Sequence, residues 1–469
     1  MLFPTLDFLV FFVVVAAAMV PLRQHHEARK LFLVAASYFF YAQWNWHFCF
    51  LLGFSSLWTY AAGRWIAVTP DGHKRGWILG IAVTVDLLLL GTFKYFDFFV
   101  GSVNQLAHAL GLTHELPFVE IILPVGISFF TFHAISYVVD VYRSDVPVCR
   151  RLTDMLLYLS FFPQLVAGPI VRASFFLPQL YAPPRTGLAI GPPLMLILGG
   201  LFKKVVMANY LATDLVDPVF FDPASFSTLD LLLAAYGYAI QIYCDFSAYT
   251  DMAIGLAALL GYRFPPNFNQ PYRSQSLQEF WRRWHISLSS WLRDYLYKPL
   301  GGSRQGAWMT RRNLLITMLL GGIWHGAAWK FVAWGALHGA GLVLERAVLG
   351  GHEKRSRNPL VRVLATLAVF HFVCLAWVFF RADSFDTAFT YLRTAAQLTP
   401  GITQASPFTI GLIVLGMATQ FVPPGFSRRL ALGLATWPDW ALGVGASMAM
   451  VAIDAMGPDG VAPFIYFQF

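Results

Sequence analysis

Apolar windows long enough to cross a bilayer recur from one end of this 469-residue chain to the other. They fall at residues 6–22, 31–52, 77–93, 152–166, 188–207, 229–260, 314–344, 361–380, 408–421 and 440–453. A spanning helix needs about 20 mostly apolar residues, because each residue advances ~1.5 Å through a hydrocarbon core roughly 30 Å thick. Lipid offers the backbone no hydrogen bonds, so each segment has to satisfy its own polar groups, and a helix does so. Only 12% of the residues are charged, about half the ~25% of an ordinary soluble chain. These features predict an all-α polytopic membrane protein of about a dozen transmembrane or re-entrant helices. The longest charged stretch, residues 263–312, is broken throughout by Trp, Leu and Tyr. It leaves no room for a soluble domain, so residues 1–469 are read as one membrane domain.

The formal net charge is +8, and the basic residues gather at 23–30, 64–75, 143–151, 273–312 and 353–362. Short basic connections mark the cytoplasmic side of a membrane protein, which accounts for the charge without nucleic acid and places the N terminus outside. No Lys or Arg precedes the first apolar window, which runs straight into Arg23. It therefore lacks the basic opening of a cleaved signal peptide and is read as the first helix. Cys49, Cys149, Cys244 and Cys374 lie far apart with no paired spacing, so neither a disulfide framework nor a metal site is expected. No repeat of 20 to 50 residues is evident.

Two histidines sit in or against this apolar sequence, in Trp281-Arg282-Arg283-Trp284-His285 and in Gly321-Gly322-Ile323-Trp324-His325-Gly326. Imidazole is the side chain whose unperturbed proton affinity suits acid/base work near neutral pH, and an ionisable group in hydrocarbon is costly. Chemistry inside the membrane is the leading reading. On one continuous helix at 100° per residue, Leu277, Trp281, Trp284, Leu288, Trp291, Leu292 and Tyr295 form an apolar stripe beside Arg282, Ser289 and Arg293. His285 falls at the boundary, as it would on an interfacial amphipathic helix with Trp at headgroup depth. The same helix has a second reading as a dock for an anionic cofactor, with Arg282, Arg283 and Arg293 as the candidate phosphate partners. The segment 298–304 is a turn by composition. Small residues around His325 let another helix or a substrate approach closely. A structural imidazole bonded to a carbonyl and a reactive one both remain open, with the missing carboxylate at i±3 and i±4 favouring the reactive form. His338 lies thirteen residues on, about 220° around a straight helix, and is expected off the face of His325.

Asp86, Lys94, Lys203, Lys204, Asp245 and Asp251 also interrupt apolar sequence. The two carboxylates of residues 243–251 have three readings: a proton path, an orienting partner for a histidine, or structural ion pairs with Arg282 or Arg293. The ion-pair reading is favoured. No phosphate-binding Gly-Lys-Ser/Thr loop, dinucleotide fingerprint or serine elbow occurs, which removes the usual soluble nucleotide-binding and hydrolase classes.

The chain resembles the membrane-bound O-acyltransferases, and within them the branch that acetylates alginate and other polysaccharides. The resemblance rests on Ala35 to Tyr41, Leu123 to Phe132, Phe161 to Pro169, Gly200 to Lys204, Tyr243 to Asp251, Phe280 to Gly302, Gly321 to Gly326 and Trp377 to Arg381, with Met1-Leu2-Phe3 at the start. It implies a funnel-shaped centre in which His325 is the active-site histidine and His285 a second one. It implies acetyl-CoA as a cytosolic donor, with no tightly bound cofactor, and a multi-pass place in the bacterial inner membrane. It also implies two kinds of partner, a separate extracytoplasmic acetyltransferase and the polysaccharide export machinery. One departure concerns the acceptor: Ala328 stands where a polar residue is expected in several alginate-branch relatives. Cellulose and peptidoglycan acetylation and D-alanyl transfer to teichoic acid are the neighbouring branches. Residues 293–302 look closer to the polysaccharide branch than to the D-alanyl one. Two other classes compete. A transporter or proton channel would use the same intramembrane charges, but the histidine motifs have no N-terminal echo of the kind repeated transporter halves show. A scaffold that recruits the acetyltransferase would use its histidines for packing alone.

Overall fold

The computed structural model describes residues 3–112, 115–182, 189–350, 357–423 and 425–458, and no strand occurs among them. Met1, Leu2 and the basic residues at 353–356 lie outside the described residues. Among the described residues four helical runs, Gly72–Ala109, Gly191–Phe221, Trp329–Leu349 and Pro359–Arg381, are both long and apolar enough to cross a membrane. His26–Asn45, Phe48–Val68, Thr228–Leu259 and Gly306–His325 are also 20 residues or longer. The chain is an all-α polytopic membrane protein. The four cysteines are free thiols.

The fold divides into two compact units. The first comprises Met1–Gly187 with Ala257–Phe264 and Gly326–Ala328. A buried ion pair joins its helices His26–Asn45 and Leu152–Ser160 through Lys30 and Asp154, which are 2% and 1% exposed. Asp86, in the middle of Gly72–Ala109, is buried with neither carboxylate oxygen hydrogen-bonded among the described residues. Lys94, eight residues on, lies 3.4 Å from the Ser128 hydroxyl.

The second unit comprises Leu188–Leu256, Pro265–His325 and Trp329–Phe469. Its run Gly191–Phe221 is interrupted by π-helical turns at Lys203–Ala208 and Ala212–Val216. A π turn adds a residue to the helical repeat and is used where a side chain has to be re-aimed. Here Lys203 reaches Asp251 at 2.6 Å and Ser247 at 2.8 Å, while Lys204 reaches Asp245 at 2.6 Å. The carboxylates of helix Thr228–Leu259 are thus structural partners, but of lysines. The expected pairing with Arg282 or Arg293 is corrected: those arginines lie on a different element, and two adjacent lysines face the acids first.

Gly306–His325 and Trp329–Leu349 form an antiparallel hairpin. A Cβ on Gly322 would stand 2.2 Å from the Phe331 carbonyl oxygen, and one on Gly335 would stand 2.4 Å from that of Met318. The small residues beside His325 therefore let a second helix approach.

Candidate active site

His325 ends the first helix of the hairpin, and residues 326–328 are non-helical before Trp329. The imidazole is 3% exposed. Trp324, Trp334 and Phe380 surround it edge to face, with ring centroids at 5.1, 4.9 and 5.4 Å. Aromatic rings meet a buried imidazole favourably in this geometry and keep water from it.

His285 lies at a break between two helices. A single helix over residues 277–295 is not what forms; the segment is divided into Leu277–Arg283, Ile286–Leu292 and a π turn at Arg293–Tyr297. His285 adopts the left-handed conformation, φ +43°, between the first two. The break has a cause in the extended stretch before it. The Asn267 carbonyl accepts from Ile286 N–H at 2.9 Å, and Asn269 N–H donates to the Arg283 carbonyl at 2.9 Å. These bonds replace the helical ones that residues 283 and 286 would otherwise make. The interfacial-helix reading fails with the continuous wheel: Trp284 is 1% exposed, packed on Phe268, Phe280 and Trp377, and His285 is fully buried rather than at an edge.

Trp324 brings the two histidines into one cluster. Its ring centroid is 6.0 Å from that of His285 and 5.1 Å from that of His325. Around His285, Nδ1 accepts from Leu288 N–H at 3.4 Å, capping helix Ile286–Leu292, and lies 3.3 Å from Asn267 Oδ1 and 3.5 Å from Ser287 Oγ. Nε2 has no hydrogen-bond partner among the described residues. His338 joins the same cluster, contrary to the straight-helix expectation. Because the helix turns back after His325, Trp334 touches both imidazoles, with centroids 4.9 Å from His325 and 4.7 Å from His338.

A cavity of about 560 Å³ opens beside this cluster, within the roughly 300–1,000 Å³ of small-molecule sites. Arg282, Arg293, Arg346 and Arg362 line it, with Glu279, Glu345, Trp281, Ser289, Ser290, Leu314, Thr317 and Met318. The two acids are already engaged. Glu279 holds Arg283 at 2.9 and 3.0 Å, and Glu345 accepts from the N–H groups of Leu277 and Gln278 at the start of helix Leu277–Arg283. The lining is net cationic. Of the three arginines singled out in the sequence, Arg282 and Arg293 face this cavity; Arg283 is instead bound to Glu279 and the Asn269 carbonyl. Arg293 also holds Asp294 through two bonds of 3.0 Å.

Trp281 forms part of the cavity wall and packs on Trp334 at 5.6 Å, and Trp334 in turn packs on His325, so two indole rings link the cavity wall to His325. Leu314, Thr317 and Met318 precede His325 by seven to eleven residues, about 11–17 Å along the helix axis. Sequence reading missed Asn267, Trp334, Arg346 and Arg362. Arg362 was visible as a member of the 353–362 basic cluster, and Asn267 as the polar residue of a Pro265-Pro266-Asn267 segment that proline keeps extended; Arg346 lay outside every basic cluster. Trp334 gave no signal.

Comparison with known proteins identifies the family. The profile of the membrane-bound O-acyltransferase family matches residues 150–381, which include both site histidines. The chain is 45% identical to a probable alginate O-acetylase of Azotobacter vinelandii, over 77% of this chain and 71% of that one. It is 40% identical to the peptidoglycan O-acetyltransferase of Helicobacter pylori, over 78% and 73%. A teichoic acid D-alanyltransferase of Bacillus subtilis is 27% identical over 56% and 69%. The chain belongs to the membrane-bound O-acyltransferase family.

Proposed function

We propose that this protein is an O-acetyltransferase of the bacterial inner membrane that serves O-acetylation of an exported polysaccharide, alginate foremost. The observation that carries the reading is the pairing of a histidine cluster with the cation-lined cavity beside it. Acetyl-CoA combines an anionic nucleotide end with a long arm bearing the thioester. Arg282 and Arg293, with Arg346 and Arg362, hold the phosphates, as guanidinium groups do. The arm then extends along helix Gly306–His325 toward His325. The basic ends of the helices around the cavity support a cytosolic side for it.

Acyl transfer needs a base for the hydroxyl proton and donors for the oxyanion. His325 is the base. The hydroxyl oxygen bonds to the acetyl carbon, the carbon–sulfur bond breaks, and the proton ends on the departing sulfur. His285 holds the donor carbonyl or carries the proton. The acetyl group passes to a separate extracytoplasmic acetyltransferase, which places it on the polymer as the export machinery delivers it. The similarity to the Azotobacter vinelandii protein supports alginate.

The test measures ester-linked acetate on secreted polysaccharide from a strain lacking this gene, with and without the wild-type gene restored. Restored acetate on alginate is the expected result, and acetate on peptidoglycan alone would move the protein to that branch. Unchanged acetate in all polymers would sink the reading.

A further inference from the structure

His285 caps the helix that follows it. The first turn of a helix leaves its backbone N–H groups without carbonyl partners, and in helix Ile286–Leu292 the Leu288 N–H donates to His285 Nδ1 at 3.4 Å. A backbone N–H is always a donor, so Nδ1 presents a lone pair to it. The imidazolium carries protons on both nitrogens. The ring that makes this cap is therefore the neutral one with its proton on Nε2. The other groups at Nδ1 agree. Asn267 Oδ1, 3.3 Å away, already accepts from Ser287 N–H at 3.0 Å and from Ser287 Oγ–H at 2.9 Å, which fills both its lone pairs. Nδ1 and Nε2 lie on opposite sides of the ring, so Nε2–H points away from the capped turn. His285 is fully buried, and Nε2 has no hydrogen-bond partner among the described residues. The rings against it, Phe246, Phe268 and Trp324, have centroids 4.6, 6.5 and 6.0 Å away, and none presents an acceptor lone pair. A buried donor of this kind is costly unless a ligand supplies the acceptor. Trp324 also touches the imidazole of His325, at 5.1 Å, so the donor and the base meet one indole.

We propose that His285 is the hydrogen-bond donor to the thioester carbonyl, and that the helix it caps locks its proton on Nε2 for that task. The proposal rests on the acetyltransferase reading above. As the hydroxyl oxygen bonds to the acetyl carbon, the carbonyl electron pair moves onto the carbonyl oxygen, where Nε2–H holds the developing oxyanion. The pair returns as the carbon–sulfur bond breaks. His325 takes the hydroxyl proton in the first step and gives it to the departing sulfur in the second. His285 neither gains nor loses a proton, and the two histidines divide the work: one moves a proton, the other steadies a charge.

The experiment follows acetyl-CoA thioester cleavage by purified full-length protein in lipid vesicles, at matched folded protein, for wild type, His285→Asn and His285→Gln. The Asn side chain keeps the cap, because its oxygen accepts from Leu288 N–H and it tolerates the left-handed backbone of this position, φ +43°. Its amide nitrogen stops short of the place of Nε2. His285→Asn is expected to unfold at the wild-type temperature and to lose kcat about 100- to 1,000-fold, as loss of one oxyanion donor does. The Gln side chain reaches the place of Nε2 with an N–H that takes up no proton. His285→Gln is expected to melt lower, having lost the cap, yet to keep turnover within about tenfold of wild type with the wild-type pH profile. A folded His285→Gln as inactive as His285→Asn would make this imidazole a proton carrier, and wild-type turnover in His285→Asn would leave it a helix cap; either result overturns the proposal. A second readout does not depend on the Gln variant. It is the infrared carbonyl stretch of acetyl-CoA isotope-labelled at the thioester carbonyl, bound to His325→Ala and to His325→Ala/His285→Asn. A donor at Nε2 lowers the frequency in the first relative to the second. Equal frequencies alongside normal wild-type turnover overturn this proposal alone, whereas absence of wild-type turnover overturns the functional reading and this proposal with it.

Discussion

The indole of Trp334 meets the imidazole of His325 edge to face, ring centroids 4.9 Å apart and planes at 83°. Trp334 is wholly buried, and its other ring neighbours include His338, Trp281, Trp377 and Phe380. It is the wall against which the site is built. Trp334→Ala removes a large buried ring and should cost about 3–5 kcal/mol of stability. Trp334→Phe keeps an aromatic wall in a slightly different place, which should lower turnover by up to ~100-fold in folded protein, because small displacements of a reacting group are costly. Thermal unfolding and thioester turnover of the detergent-purified variants check both. A wild-type rate for Trp334→Phe would show that the position of His325 does not depend on this contact.

The cavity arginines separate binding from folding. Arg282→Ala and Arg293→Ala should raise KM for acetyl-CoA roughly tenfold or more with kcat little changed, the signature of lost uniform binding. Arg283→Ala should leave KM alone and lower the unfolding temperature, since Arg283 ties Glu279 to the Asn269 carbonyl. The opposite assignment, with Arg283→Ala alone affecting KM, would mean that the donor does not occupy this cavity.

The buried pair Lys204–Asp245 predicts an asymmetry. Its members are 2% and 5% exposed, so Lys204→Met takes the lysine charge away from a buried carboxylate and should cost about 3–5 kcal/mol. Lys204→Met combined with Asp245→Leu should recover most of that loss. Circular dichroism melting of the single and double variants measures it; a double variant no more stable than the single would show that the pair does more than neutralise itself.

Two adjacent glycines should respond differently. A Cβ at Gly322 meets the Phe331 carbonyl oxygen at 2.2 Å, whereas at Gly321 it meets only the flexible end of Leu292 at 3.2 Å. Gly322→Ala is expected to prevent accumulation of folded protein and Gly321→Ala to be tolerated. Membrane levels by immunoblot decide this, and equal levels would contradict the close helix approach.

Much of this was legible in the sequence, and for physical reasons. The membrane class follows from composition and the recurrence of spanning windows. His285 and His325 stood out as polar groups in or against apolar sequence, where such groups are costly to keep, and Arg282 and Arg293 as the basic face of an aromatic helix. The misreadings share one cause, the assumption that helical periodicity continues unbroken. Residues 277–295 carry a helix-like stripe, yet the extended segment at Asn267 and Asn269 captures the backbone of residues 283 and 286. The angle between His325 and His338 was computed on a straight helix, but the chain turns at residues 326–328 and returns both to Trp334. Long-range partners such as Asn267, or the lysines that hold Asp245 and Asp251, leave no local period to read.

The claim that His325 performs the transfer is tested most directly by thioester cleavage of acetyl-CoA by purified protein in vesicles, comparing wild type with His325→Ala at matched folded protein. General-base loss predicts turnover lower by about 10²- to 10⁴-fold, with acetyl-CoA still bound at the arginine-lined cavity. Wild-type cleavage by His325→Ala would contradict the account and return this imidazole to a packing role.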